Sequence, residues 1–340
     1  MNAYELLDML KIEIDGYQLQ LADNLSIINS LTTALQSEIS KYDALFLENV
    51  ALKQNIETLQ SRITELELAL TPVPPVPPPP VEEVYEIIDG GLALKDCDRN
   101  SVSTAPCFKI IGESGKTYKK YKISNSFGAY IENCSNITID TLELNNVYGL
   151  YMKNVSNINI KRVVINDSWV GAKLITGVVN CRIDYLESNR ASDKSTALTS
   201  PNGDGLLIDD SNCTGNWFGV VRCSGSDDCG LDQQGIGTVI DEYYAGPGNL
   251  HGAKLWGSTV IKKYTAEGSR GNSVLCISGD HTITNADLKA AAGEHVKMGI
   301  SAYSTLKRKL TISGVADKWP NSYIVSPISN STLIANITKV

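Results

Sequence analysis

The 340-residue chain contains no apolar run approaching the ~20 residues that cross a bilayer. Its start, Met1-Asn-Ala-Tyr-Glu, has no basic stretch leading into an uninterrupted apolar core. Neither a membrane span nor ordinary secretion is therefore expected. A basic excess is also missing. The formal net charge is -8, which argues against nucleic acid or an anionic membrane as partner. Only three histidines are present, and no His and Cys pairs are arranged as zinc prefers. The second half has no helical periodicity.

What the second half does contain is a repeat of roughly 22 residues. Aligning Ile137-Thr-Ile139, Ile158-Asn-Ile160, Cys181-Arg-Ile183, Asn216-Trp-Phe218, Thr238-Val-Ile240, Thr259-Val-Ile261 and Thr282-Ile-Thr284 gives steps of 21, 23, 35, 22, 21 and 23 residues. Each segment alternates apolar and polar positions, is rich in β-branched residues, and is bounded by Asn, Gly, Asp or Ser, as short strands between turns are. Short strands at this period without crossover helices predict a parallel β-helix in which each turn of the solenoid stacks on the one below. The single long step predicts a loop inserted near residues 189–202.

Three acidic stations and a lysine stand out against this frame: Asn202-Gly-Asp204-Gly, then Ser226-Asp227-Asp228-Cys-Gly-Leu-Asp232, then His251-Gly-Ala-Lys254-Leu-Trp-Gly257. Counted from the shared strands, Asp204 lies 12 residues before its strand, and Asp227 and Asp228 lie 11 and 10 before theirs. Asp232 and Lys254 lie 6 and 5 before theirs. Neighbouring coils are about 4.8 Å apart. The offsets therefore predict carboxylates from two coils around one cation, with the lysine a coil or so away. Calcium, with its loose set of hard oxygen ligands, is the expected ion. An adjacent pair such as Asp227 and Asp228, packed against another carboxylate, repels unless a cation neutralises it. The alternative is that these aspartates only satisfy turn backbone, as Asn133, Asn136, Asn154 and Asn157 are expected to do.

Over residues 202–257 the chain resembles the family 9 polysaccharide lyases, right-handed β-helix enzymes related in fold to pectate lyases. The shared elements are N-x-D-G, the following Gly215-Asn216-Trp-Phe218, Cys223, the Asp-Asp with a Gly-x-Asp after it, and G-x-K-L-x-G. The resemblance implies that Asp204, Asp227, Asp228 and Asp232 bind calcium and that Lys254 is the catalytic base of a β-elimination on a uronic acid. Cys229 departs from the family's Asp-Asp-Gly-x-Asp, and the interval from the acidic cluster to the lysine is short. No acid for the leaving group stands out beyond His251.

The first 70 residues follow a different rule. Heptad position a falls on Leu7, Ile14, Leu21, Ile28, Leu35, Tyr42, Asn49, Ile56, Ile63 and Leu70, and d on Leu10, Tyr17, Asn24, Leu31, Glu38, Leu45, Leu52, Leu59 and Leu66. This pattern predicts a coiled coil in which Asn24, Glu38 and Asn49 set register or oligomer state. The run Thr71-Pro-Val-Pro-Pro-Val-Pro-Pro-Pro-Pro80 predicts a stiff polyproline II spacer. The expected organisation is a coiled-coil stalk over 1–70, a proline-rich linker over 71–84, a right-handed parallel β-helix over 85–304 and C-terminal coils or cap over 305–340.

Rod, linker and glycan-type β-helix together resemble a bacteriophage tailspike or tail fibre. That resemblance implies a homotrimer on the virion, other virion proteins as partners, and an acidic host-surface polysaccharide as substrate. Two classes stay open: a calcium-dependent polysaccharide lyase, and a non-catalytic fibre or decoration protein that binds glycan or plays a structural role. A hydrolase using Asp209, Asp210 or Asp241-Glu242 ranks below both. Basic clusters occur at 116–122, Lys161-Arg162, Lys262-Lys263 and 307–309; Lys161-Arg162 and Lys262-Lys263, each directly after an aligned strand segment and so in one column, are candidate contacts to an acidic glycan. Cys134 and Cys213 share one offset, as in a ladder of free thiols, and Cys97 with Cys107 is the one pair expected to bridge if any does. The N-x-S/T sequons, such as Asn136-Ile-Thr138, are expected to be turn asparagines.

Overall fold

A computed structural model describes residues 3–70, 83–192, 202–289, 294–319, 323–325 and 330–340. Residues 71–82 of the predicted linker 71–84 and most of the predicted inserted loop lie outside these residues. The chain divides into two compact units, Met1–Glu82 and Glu83–Val340.

In the first unit Ala3–Leu70 forms one unbroken α-helix, about 100 Å long at 1.5 Å per residue. Its heptad stripe is uncovered: Leu7, Ile14, Leu21, Ile28 and Leu35 are each more than half exposed. No helix among the described residues is long and apolar enough to cross a membrane.

The second unit is a solenoid of about nine turns in which every strand pairing is parallel. A first face carries the predicted repeat, through Thr138–Lys153, Asn159–Ser168, Arg182–Ala191, Trp217–Ser224, Thr238–Ala245, Ser258–Glu267 and Gly279–Lys289. Register aligns Ile139, Ile160, Ile183, Phe218, Ile240, Ile261, Ile283 and Ile312 in one column. All eight are almost fully buried. Alternation sends these side chains inward and their neighbours out, so stacking coils buries one continuous core.

The last step of the predicted repeat is off by one residue. Thr282 pairs with Val260 and Ile283 with Ile261, rather than Thr282 with Thr259. The predicted register would have put Ile283 level with the outward-facing Val260, and a one-residue slip exchanges core and solvent faces. The stacking also continues past residue 305, through Arg308–Ala316 and Ser331–Lys339.

A second face runs beside the first through Ala172–Ile175, Leu206–Ile208, Cys229–Gln233, His251–Leu255, Val274–Cys276 and Val296–Met298. Asn133, Asn136, Asn154 and Asn157 occupy the left-handed turn positions, with φ between 51° and 55°, a region Asn tolerates. Their amides stack coil on coil, Asn154 on Asn133 at 2.6 Å and Asn157 on Asn136 at 3.2 Å. All eight cysteines are free. Cys97 and Cys107 are not bridged; their thiols donate instead to the Ala93 and Val102 carbonyls.

A carboxylate–lysine centre on the second face

The strands Leu206–Ile208, Cys229–Gln233 and His251–Leu255 stack in register, and the middle one places Asp232 directly against Lys254 on the next coil. That pairing agrees with the expected stacking. Behind these strands, the stacked rings of Tyr243 and Tyr264 fill the core, centroids 5.1 Å apart. Their hydroxyls donate to the carbonyls of Gly252 and Ser273. A Cβ on Gly230 or Gly252 would fall inside contact distance of those same hydroxyls. The glycines of Cys-Gly-Leu-Asp232 and His-Gly-Ala-Lys254 are thus required by the tyrosines packed beneath them.

Lys254 Nζ lies 2.7 Å from Asp232 Oδ2 and 3.0 Å from Asp228 Oδ2. Asp204, wholly buried, accepts the Cys229 backbone N–H on Oδ1 at 3.0 Å. Asp204, Asp228, Cys229 and Asp232 bring ligand atoms within 4.8 Å of one another, a group that could hold a metal ion. Two oxygens in this buried cluster, Asp204 Oδ2 and Asp232 Oδ1, have no hydrogen-bond partner among the described residues. Buried carboxylate oxygens are costly unless a proton, water or cation satisfies them.

The charges follow from this crowding. Burial, then the charges of Asp232 and Asp228, holds the Asp204 carboxyl well above the usual range. Burial pushes Asp232 up to about 6 even though Lys254 opposes the shift. Burial and Asp204 keep the Cys229 thiol protonated, and that thiol reaches Asp228 Oδ1 at 3.2 Å. Burial works against the Lys254 ammonium, but Cys229, Asp232 and Asp228 outweigh it and raise its pKa above the ordinary lysine range. Since the thiol is neutral, the two aspartates are the physical source of that rise.

Asp227 does not belong to the cluster. Its Oδ2 accepts a hydrogen bond from Ser192 Oγ, and its backbone N–H donates to Ala191. Counting back from the first-face strands set Asp204 level with 226–227, but the structure sets it level with Cys229. The cause is the turn 209–215, three residues longer than the matching turn 234–237. Cys229, read from sequence as an intrusion, is therefore a member of the group. The unequal turn lengths were visible in the chain and would have located it.

His251 lies level with Cys229. Its Nδ1 accepts the Asn272 backbone N–H at 3.2 Å, so the proton is assigned to Nε2. Burial lowers its pKa, with Asp228 acting the other way.

The other candidate acids are engaged elsewhere, Asp210 as a turn acceptor of the Asn212 backbone N–H at 2.8 Å. Asp209 pairs with Lys173, Asp241 with Lys262 and Glu242 with Lys263. The basic clusters are largely matched too: Lys116 with Glu113, Lys120 with Glu83, Lys122 with Glu143 and Lys161 with Asp140. Arg162 lies over the Tyr185 ring, 4.6 Å from its centroid. Fold and centre define the molecule as a parallel β-solenoid protein with a buried carboxylate–lysine site. No protein-family profile, curated protein or solved structure matches the chain.

Proposed function

We propose that the chain is a tailspike-type depolymerase of a bacteriophage virion that cleaves an acidic host-surface polysaccharide by calcium-assisted β-elimination. The observation that carries this reading is the pair of unpartnered carboxylate oxygens, Asp204 Oδ2 and Asp232 Oδ1, buried beside a lysine. Asp204, Asp228 and Asp232 would hold the ion. Three carboxylates of hard oxygen suit calcium better than zinc, which prefers several Cys and His ligands where this group has one Cys and no His. Bound calcium supplies positive charge that stabilises the uronate carboxylate and acidifies the proton at carbon 5.

Lys254 is the group that takes that proton, and the glycosidic oxygen then departs from carbon 4. With both Asp228 and Asp232 in contact the ammonium form is favoured, so Lys254 becomes a base only when those carboxylates are engaged elsewhere. His251, carrying its proton on Nε2, is the neighbouring donor for the leaving oxygen. The exposed heptad stripe of Ala3–Leu70 supports a coiled coil that assembles a homotrimer on the virion. The solenoid winding is read as right-handed.

A non-catalytic virion fibre or decoration protein is the second reading. It is favoured by the limited exposure of Lys254, whose side chain is 16% accessible. Leu207 and Leu275, flanking Asp232 and Lys254 in the same column, are buried.

The test is ultraviolet absorbance of unsaturated uronate products from a panel of acidic polysaccharides, with calcium or chelator, beside Lys254→Ala. A calcium-dependent rise that the variant lacks supports the lyase. No rise on any glycan, including that of the native host, moves the weight to the fibre.

A further inference from the structure

The basic run 307–309 lies two coils toward the C-terminus from the turn that carries Lys254 and plays no part in the centre above. Arg308 opens the strand Arg308–Ala316, level with Gly279. Although it is an arginine, it points inward at the solenoid corner and is 3% exposed. Its Nη1 reaches the Ile277 carbonyl at 3.4 Å and its Nη2 the Ser304 carbonyl at 3.3 Å, both at the long end for a hydrogen bond. Its Nε has no hydrogen-bond partner among the described residues. Among the described residues, no carboxylate makes an ion pair with it. A buried guanidinium held by two weak carbonyl contacts is a charge awaiting a counter-ion.

Arg308 lines a pocket of about 470 Å³ with Gly279, Asp280, Lys307, Lys309, Asn330 and Thr332. Lys307 is exposed and, among the described residues, makes no ion pair. Lys309 meets Asp280 only at 3.5 Å, with both side chains well exposed. Three cations thus face one loosely held carboxylate.

We infer that this pocket binds a small oxyanion: the carboxylate or sulfate group of an acidic sugar, or free phosphate or sulfate. Arg308 supplies planar, directed donors, and Lys307 and Lys309 supply mobile point charges. The site is independent of any cleavage at Lys254, so it stands if that chemistry fails.

Calorimetric titration of the full chain in chelator provides the test, with sodium sulfate replacing chloride at constant ionic strength and a glucuronate oligosaccharide in a second arm. Saturable binding is expected in at least one arm. The exposed double variant Lys307→Gln/Lys309→Gln should weaken it about tenfold or more, the loss expected for removing charge-assisted contacts. Arg308→Met, which exchanges a buried charge for an apolar chain, should fold and abolish it. Binding by the oligosaccharide alone identifies a glycan-borne anion, and binding by sulfate identifies a free one. No saturable heat in either arm, or equal binding by the double lysine variant, overturns the inference. The lysine variant decides the matter even if Arg308→Met does not fold.

Discussion

Removing the carboxylate charge at Asp232 should reverse sign with pH and with calcium. The folded pKa of this group is pushed from 3.8 up to about 6 by burial, net of the opposing Lys254. A carboxyl raised in the folded state contributes stability that is fully present below its unfolded pKa and is lost as pH rises through the folded one. The full loss is about 3 kcal/mol, and about 1.3 kcal/mol of it falls between pH 5 and 7. Whole-protein stability will not show this directly. His281, held down to about 4 by burial, and His251, lowered for the same reason, gain stability as pH rises over the same range. The readout is therefore the difference between wild type and Asp232→Asn in urea denaturation, taken in chelator at pH 5 and pH 7. Wild type should lose about 1.3 kcal/mol relative to the variant over that interval. With saturating calcium the order should invert, because a bound ion stabilises the ionised carboxylate; at 100 times its dissociation constant it adds about 2.7 kcal/mol. A difference that is flat or rises with pH in chelator would show that the Lys254 ion pair outweighs burial, and the charge assignment of the centre would fail.

Calcium affinity, measured by calorimetry, should fall at least about 10-fold in Asp204→Asn and Asp228→Asn, as expected for disturbing a metal's ligand shell, and stay within about 2-fold in Asp227→Asn, whose side chain faces Ser192. Gly252→Ala sets a Cβ against the Tyr264 hydroxyl and the Ser273 carbonyl; it should cost about 1–3 kcal/mol in denaturant unfolding, and part of that should be recovered in a Tyr264→Phe background. In the helix, Asn24→Leu with Glu38→Leu should raise the thermal midpoint while broadening the oligomer distribution in sedimentation, because polar seam residues trade stability for register. A single sharp trimer in the variant would remove them as oligomer determinants.

The solenoid and the helix were both legible in the chain because each is set by local periodicity. Alternation with a 21–23-residue step fixes which isoleucines face the core, from Ile139 to Ile261, before any contact is known. The last step failed at Thr282 because two β-branched registers fit the pattern and only burial of Ile283 separates them. Asp232 beside Lys254 was equally readable, since both sit inside strands whose spacing is rigid. Asp204, Asp227 and Asp228 lie in or next to turns, where length varies without penalty to the ladder. Offsets counted through a longer turn therefore drifted by three residues and exchanged Cys229 for Asp227.

Residue identity and spacing determined the repeat, the helical rod, the acid-rich stations and the lysine that follows them. Tertiary structure decided which oxygens are buried without partners, which way Asp227 turns, that Lys254 is ion-paired to two aspartates, and that Arg308 is a buried cation rather than a surface one. The division has one physical reason. Strand periodicity is a property of the backbone and is written locally, whereas burial and ion pairing depend on what neighbouring coils bring to the same few ångströms.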